Sequence, residues 1–264
     1  MRTPLLLSEW LPIWRERDLP HIDAEPVGSI SVHDLLHWDE PLQETRDHLC
    51  ALRGVARSAI NAQDEPWERC LMLRWDCCAP EVLKHIMSKP GGAQALGGGN
   101  DDDRWAIYAT GLYDDYRLYD IVSRYIAPAY GIDHQLILYA RPIVRGHSEG
   151  GYPVEFRVFV QDHAVVGVSS YYPQRPLESL LWVWAARQVA GATLHLVDVC
   201  PSFTADFLCA EEATEDMPEG WILIECGPPH IADPRGHPSA HPCCFPPGRV
   251  RGIALSPMEG AISG

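Results

Sequence analysis

The sequence predicts a mixed α+β fold in which antiparallel strands dominate the second half of the chain. Three observations support this class. Apolar residues recur at helical spacing in the first 70 residues. Short apolar or alternating runs follow, and the segment 152–172 resembles a hairpin around the turn "QDHA". With 264 residues and 46% hydrophobic content, the chain is long enough to bury a substantial core.

The first half is expected to contain a mostly helical or mixed N-terminal lobe, residues 1–68. In it, Ser31 is the predicted cap of a short helix. The run "RCLMLRWD", 69–76, predicts a strand, and "APEVLKHIMSK", 79–89, predicts a helix. The Gly-rich stretch 89–104 is predicted to be a loop.

A helix is expected over 113–131, ended by Pro128 and Gly131, and a strand over 134–144. Another helix, 176–191, is expected to stop at Gly191.

Two further strands are predicted after that helix, "TLHLVDVC" (193–200) and "WILIEC" (221–226). The tail, 233–264, is rich in Pro and Gly and is predicted to be irregular.

Charge and cysteine content limit the possible functions. The net charge of −15, from 36 acidic against 21 basic residues, disfavours a broad nucleic-acid-binding surface. No signal peptide is evident, and no run approaches the roughly 18 apolar residues of a membrane helix. Together with nine cysteines read as reduced thiols, this predicts a cytoplasmic protein without a membrane span.

Two acids fall on predicted strands, Asp198 in "LHLVDVC" and Glu225 in "WILIECGPP". Taken singly, each is an ordinary strand-end carboxylate in water. If the strands are adjacent, the two like charges favour a cation between them. Carboxylate oxygens of this kind suit Mg²⁺.

The strand "VEFRVFV" carries Glu155 and Arg157 two residues apart, so both side chains point to one face. This arrangement is typical of a same-face ion pair on a solvated outer face.

The order of the motifs "RWDCCAPEVLK", "LYARPIV", "VEFRVFV", "LVDV" and "LIECGP" resembles the ATP-grasp fold over about residues 69–230. The branch it is most similar to holds eukaryotic cell-division-cycle proteins that assist assembly of translation initiation factor 2. Related bacterial and phage proteins share that branch. The resemblance implies two lobes whose antiparallel sheets enclose ATP, with residues 69–232 forming the ATP-grasp domain.

By position, the resemblance implies that Asp198 and Glu225 bind Mg²⁺ and that Arg157 contacts phosphate. Glu155 would orient Arg157 or reach the metal. The resemblance further implies that phosphates are contacted by Arg74, Lys84 and Lys89. It also implies that adenine is contacted by backbone atoms near Tyr139 and Arg141. Among these residues, Arg157, Glu155 and Arg74 would be catalytic.

The chain departs from the ATP-grasp pattern at Gly227, where an asparagine usually supplies a further metal ligand. Two functions therefore stay open. One is an ATP-dependent carboxylate–amine ligase that acts through an acyl phosphate on an unidentified substrate. The other is a nucleotide-binding module that scaffolds or assists assembly of a partner protein without ligase turnover.

Other site classes fit the sequence less well. The tail places His237, His241, Cys243 and Cys244 close together, but the spacing is not that of the usual zinc pairs. The Gly-rich loop lacks the Lys-Ser/Thr of a P-loop. No local signature supports a Cys–His hydrolase.

Overall fold

The computed structural model describes residues 4–37, 71–77, 116–142, 144, 146–149, 152–170, 180–210 and 220–227. The chain divides into two compact units. The first comprises Leu5–Leu11 and Ile22–Val144, and the second comprises Met1–Pro4, Pro12–His21 and Arg145–Gly264. The sheets are antiparallel and are combined with helices, which confirms the α+β class. The predicted boundaries at 68/69 and 232/233 lie outside the described residues.

The elements of the first unit are α1 (Leu7–Glu16, whose second half belongs to the second unit), β1 (Glu25–Ser31), α2 (Val32–Leu36), β2 (Leu71–Trp75), α3 (Tyr116–Ile121), a π-helical turn (Val122–Ile126), α4 (Ala127–Tyr130) and β3 (Gln135–Pro142). The three strands form an antiparallel sheet in the order β1-β3-β2.

Local chemistry explains several boundaries in this unit. Ser31 caps α2 as predicted, because its Oγ accepts a hydrogen bond from the Asp34 backbone N–H at 3.0 Å. The prediction that Pro128 ends a helix is wrong. Pro128 lies within α4, near its start, where a missing N–H is tolerated. The helix ends at Tyr130, and Gly131 follows at a φ of 89°.

One face of this sheet forms the core of the first unit. Leu136, Leu138 and Ala140 of β3 pack there with Trp75 of β2, and Val122 of the π-helical turn joins the same cluster. Because strand side chains alternate, residues 139 and 141 of β3 and residue 74 of β2 point to the opposite face.

The elements of the second unit are β4 (Ser148–Glu149), β5 (Tyr152–Pro153), β6 (Glu155–Gln161), β7 (Ala164–Ser170), α5 (Leu180–Thr193), β8 (Phe203–Cys209) and β9 (Trp221–Gly227). Strands β4 and β5 pair with each other. The other four form an antiparallel sheet in the order β7-β6-β8-β9, and α5 packs against β6 and β7.

The hairpin predicted over 152–172 is confirmed by β6 and β7. Its two central residues, Asp162 and His163, have φ values of 50° and 64°. Left-handed conformations at both positions are characteristic of the tight turns that match the twist of a two-stranded hairpin.

The predicted strand 193–200 is wrong. Helix α5 continues past Gly191 to Thr193, and turns follow through residue 199. The backbone there is bonded locally, as in the bonds from Leu196 N to Thr193 O and from Val199 N to Leu196 O. The strand that pairs with β9 is β8, which the sequence analysis did not predict.

None of the helices in the described ranges combines the length and apolarity needed to cross a bilayer.

Candidate functional site

A row of charged residues crosses three neighbouring strands of the second unit. Arg157 on β6 is paired in register with Asp206 on β8, and Asp206 is paired with Glu225 on β9. Direct partners in antiparallel strands point to the same face and lie about 5 Å apart. Arg157 and Asp206 are 7% and 1% exposed, while Glu225 is half-buried. The arrangement places two carboxylates and one guanidinium on one face of the sheet.

Arg157 and Asp206 form a buried bidentate ion pair. Arg157 Nε donates to Asp206 Oδ1 and Arg157 Nη2 donates to Oδ2, each at 2.6 Å. Each carboxylate oxygen has a second lone pair, so the guanidinium does not exhaust the acceptor capacity of Asp206. The pair fixes both side chains against the sheet.

A bulge at Ile224 sets the position of Glu225. The register runs from Phe207↔Leu223 directly to Asp206↔Glu225, so Ile224 is the extra residue of β9. In a regular ladder, Ile224 would oppose Asp206, and Glu225 would point to the other face. The bulge therefore brings the second carboxylate beside the first.

Gly227 closely approaches a hydroxyl group. It pairs with Thr204 of β8, and a Cβ built on Gly227 would lie 2.9 Å from Thr204 Oγ. Thr204 is 5% exposed and stands two residues before Asp206, on the same face. Gly227 is thus bordered by a threonine hydroxyl.

The structure corrects the expected position of Asp198. The strand on which its pairing with Glu225 depended does not form, and Asp198 lies exposed in the turns after α5. Its Oδ1 and Oδ2 accept hydrogen bonds from Arg17 Nη1 at 3.0 Å and Nη2 at 2.9 Å. These bonds lower the pKa of the Asp198 carboxyl. Asp206 is the acid opposite Glu225.

Glu155 is half-buried at the start of β6, opposite Leu208. Strand alternation places it on the same face as Arg157, as predicted.

Three of the predicted residues come together in the first unit. Arg74 of β2 pairs in register with Tyr139 of β3, and Arg141 is two residues further along β3. All three are buried on the face opposite the core. Arg74 Nε donates to Trp75 O at 3.2 Å, and Arg141 Nη2 donates to Ile22 O at 3.1 Å. Arg74 also interacts electrostatically with Asp76, two residues further along the chain.

Lys84, Lys89, the Gly-rich loop and the His/Cys-rich tail lie outside the described residues. Their proposed contacts stay predictions.

The sequence analysis missed Asp206 and Thr204, although a signal for both is present. In "FTADFLC" the polar side chains Thr204 and Asp206 alternate with Phe203, Ala205 and Phe207, which is the pattern of a strand with one polar face.

The pair Asp206–Glu225 fits a divalent cation of the Mg²⁺ type. Both residues supply hard oxygen ligands from adjacent strands, and Mg²⁺ is usually held by one or two carboxylates together with substrate phosphates. Within the described part of the chain, no group of three or more His, Cys, Asp or Glu side chains is arranged around a common point. Such a cation would therefore need oxygen atoms from other sources.

The solved structures similar to this chain include two of Cdc123 from Schizosaccharomyces pombe. One of them has 14% sequence identity and a TM-score of 0.49. The C-terminally truncated form of that protein has 14% identity and a TM-score of 0.48. Each comparison covers 85% of this chain and 83% of the other. Similarity at this level does not transfer a function. No protein-family model and no curated protein sequence matches the chain.

Proposed function

We propose that this chain is a nucleotide-binding module that takes up Mg-ATP and uses it to assist the assembly of a partner protein. The observation that carries the proposal is the row Arg157, Asp206 and Glu225 across three paired strands. Binding of a triphosphate requires neutralisation of its charge, which a guanidinium and a carboxylate-bound divalent ion supply together. The sequence resemblance to the initiation-factor assembly branch suggests the class of partner.

Each residue of the row has a role in this proposal. Asp206 and Glu225 hold the divalent cation, and Arg157 donates hydrogen bonds to a phosphate oxygen. The cation that these two residues would hold would supply positive charge to neutralise the triphosphate. Asp206 also holds Arg157 at fixed Nε and Nη2 positions, so little side-chain entropy is lost when phosphate arrives. Arg74 is retained as a proposed phosphate contact, and the backbone near Arg141 as a proposed adenine contact.

The module is favoured over a ligase by the surroundings of Gly227. A ligase must hold two metal-bridged phosphates in a strict geometry while the acyl phosphate forms. Here the ligand usual at position 227 is absent, and a Cβ there would meet Thr204 Oγ at 2.9 Å. That arrangement supports nucleotide binding more directly than rapid turnover.

A carboxylate–amine ligase is the second proposal, supported by the arginine held beside the two acids. In that case a substrate carboxylate attacks the γ-phosphorus of ATP, ADP leaves, and an acyl phosphate forms. An amine then displaces phosphate to give the amide. Arg157 would stabilise the charge that develops on the transferred phosphoryl group.

Calorimetric titration of ATP with and without Mg²⁺, followed by assay of ADP release with a panel of amino acids and peptides, separates these proposals. The module predicts Mg²⁺-dependent ATP binding without acceptor-dependent ADP. ADP released in proportion to an amide product would establish the ligase instead. Absence of ATP binding to the wild-type chain would contradict both.

A further inference from the structure

The hydroxyl of Thr204 lies on the charged face of the sheet, beside Gly227, which has no side chain. Thr204 pairs with Gly227 and Asp206 pairs with Glu225, with the pair of Ala205 and Cys226 between them. Neighbouring positions on one face of a strand are about 6.5–7 Å apart. The hydroxyl is therefore two residues along the strand from Asp206 and on the same side of the sheet as the carboxylates.

The close approach at Gly227 shows that the hydroxyl and a side chain at 227 compete for the same space. A Cβ at 2.9 Å from Thr204 Oγ is nearer than side-chain carbons are found to other atoms. Thr204 is buried between β6 and β9 and has two heavy atoms on its Cβ, which restrict its rotamers. A larger residue at 227 must therefore displace the hydroxyl.

We propose that Thr204 is the further oxygen-bearing residue of the cation site, acting in place of the side chain that Gly227 lacks. This inference rests on the proposed Mg-ATP function. The hydroxyl either binds the divalent ion or accepts a hydrogen bond from a water molecule in its coordination shell. Mg²⁺ typically retains several water molecules, which makes the second arrangement compatible with a separation of two residues along the strand. Gly227 is required because it leaves the hydroxyl in place.

Removal of the hydroxyl at constant volume tests the proposal. Thr204→Val is expected to weaken Mn²⁺ binding, measured by electron paramagnetic resonance with ATP present, by about tenfold or more, as loss of a supporting ligand does in other metal sites. Binding of metal-free ATP is expected to be unchanged. Thr204→Ser keeps the hydroxyl and is the matched control, with Mn²⁺ affinity expected within about threefold of wild type.

A complementary pair of variants tests the competition for space. Gly227→Asn alone is expected to weaken Mn²⁺ binding because the new Cβ displaces the hydroxyl. The double variant Thr204→Ala with Gly227→Asn is expected to recover it, because the asparagine oxygen then has room. Thermal unfolding of each variant shows whether it is folded.

The outcomes are distinguishable. If Thr204→Val binds Mn-ATP as tightly as wild type, the role of Thr204 is wrong and the proposed function stands. If Thr204→Val is unfolded, the Mn²⁺ affinities of Thr204→Ser and of the double variant decide whether Thr204 has the proposed role. A double variant that binds Mn²⁺ no more tightly than Gly227→Asn alone would contradict the proposed role of Thr204. If wild type binds neither Mn²⁺ nor ATP, the proposed function and this inference both fail.

Discussion

Arg157 and Asp206 illustrate how much the surroundings of an ion pair decide its importance. The same unit contains a second bidentate pair, Arg17 and Asp198, with similar hydrogen bonds. The side chains of Arg157 and Asp206 are 8% and 2% exposed, whereas those of Arg17 and Asp198 are 36% and 65% exposed. Water screens the second pair and does not screen the first.

The stability of the fold is expected to depend more on the buried pair Arg157–Asp206 than on the exposed pair Arg17–Asp198. Asp206→Ala leaves the Arg157 guanidinium buried without its carboxylate, which should lower the free energy of unfolding by about 3–5 kcal/mol. Asp198→Ala is the control. Its effect should be much smaller because the side chains of Arg17 and Asp198 both reach solvent. Urea denaturation measures both. Equal losses in the two variants would contradict the burial argument.

Asp76 predicts a pH dependence of stability. It is 2% exposed and accepts hydrogen bonds from Ser8 N at 2.7 Å and Ser8 Oγ at 2.8 Å, at the start of α1. Burial, only partly offset by these bonds, raises the pKa of its carboxyl. The folded state therefore binds this proton more tightly than the unfolded chain does.

The contribution of Asp76 to stability is consequently largest when the carboxyl is protonated. It should be lost as pH rises from the unfolded pKa of about 3.9 through the raised folded value. Asp76→Asn keeps an acceptor for Ser8 N and removes the charge. The difference in unfolding free energy between wild type and this variant should shift in favour of the variant as pH rises over that range. A difference independent of pH would contradict this account.

At the residue scale, sequence reasoning found Arg157 and Glu225 because a charge within an apolar strand is conspicuous. It chose the wrong partner for Glu225 because Asp198 also stands in an apolar run. Which acid lies opposite Glu225 depends on pairing between distant parts of the chain, which local pattern does not specify.

At the element scale, two errors have a common origin. The segment 193–200 has the apolar composition of a strand, yet it forms turns because its backbone groups bond to residues just before them. Strand β8 has alternating polarity, and its backbone groups form hydrogen bonds with the neighbouring strands β6 and β9 rather than with residues just before them. The hairpin of β6 and β7 was predictable because its pairing is local and its turn is short.

The bulge of β9 yields a prediction about register. Deletion of Ile224 removes the extra residue but leaves Glu225 opposite Asp206, so Mg-ATP binding should persist. Insertion of one alanine between Ile224 and Glu225 should turn Glu225 to the opposite face and weaken Mg-ATP binding by about tenfold or more. Calorimetry of the two variants, with thermal unfolding as the check of folding, measures this. Loss of binding in the deletion alone would contradict the assigned register.

At the scale of the whole molecule, the α+β class followed from the sequence, and the domain boundaries at 68/69 and 232/233 stay predictions. Residues 25–31 were expected in an N-terminal lobe, yet they form β1 and pair with β3 in the sheet of the first unit. Helix α1 contributes residues to both units. Contacts between distant segments determine such a division, and a single sequence carries no direct record of them.

The second unit alone holds the charged row, so the proposed cation site depends on one sheet. The account predicts that substitutions of Asp206 and Glu225 alter the Mg²⁺-dependent part of ATP binding. Arg74→Met should weaken ATP binding with and without Mg²⁺ alike, because the proposed contact of its guanidinium with phosphate does not depend on the cation. Titrations in the presence of Mg²⁺ and of a chelator distinguish the two patterns. An Arg74 variant that lost only the Mg²⁺-dependent part would contradict this assignment.

The central claim is that Asp206, and not Asp198, is the partner of Glu225. Titration of Mg-ATP into wild type, Asp206→Asn and Asp198→Asn tests it most directly, with melting temperatures recorded to show that each variant is folded. The account predicts that Asp206→Asn weakens Mg-ATP binding by about tenfold or more and that Asp198→Asn leaves it unchanged. Full affinity in Asp206→Asn, or loss of affinity in Asp198→Asn alone, would contradict it.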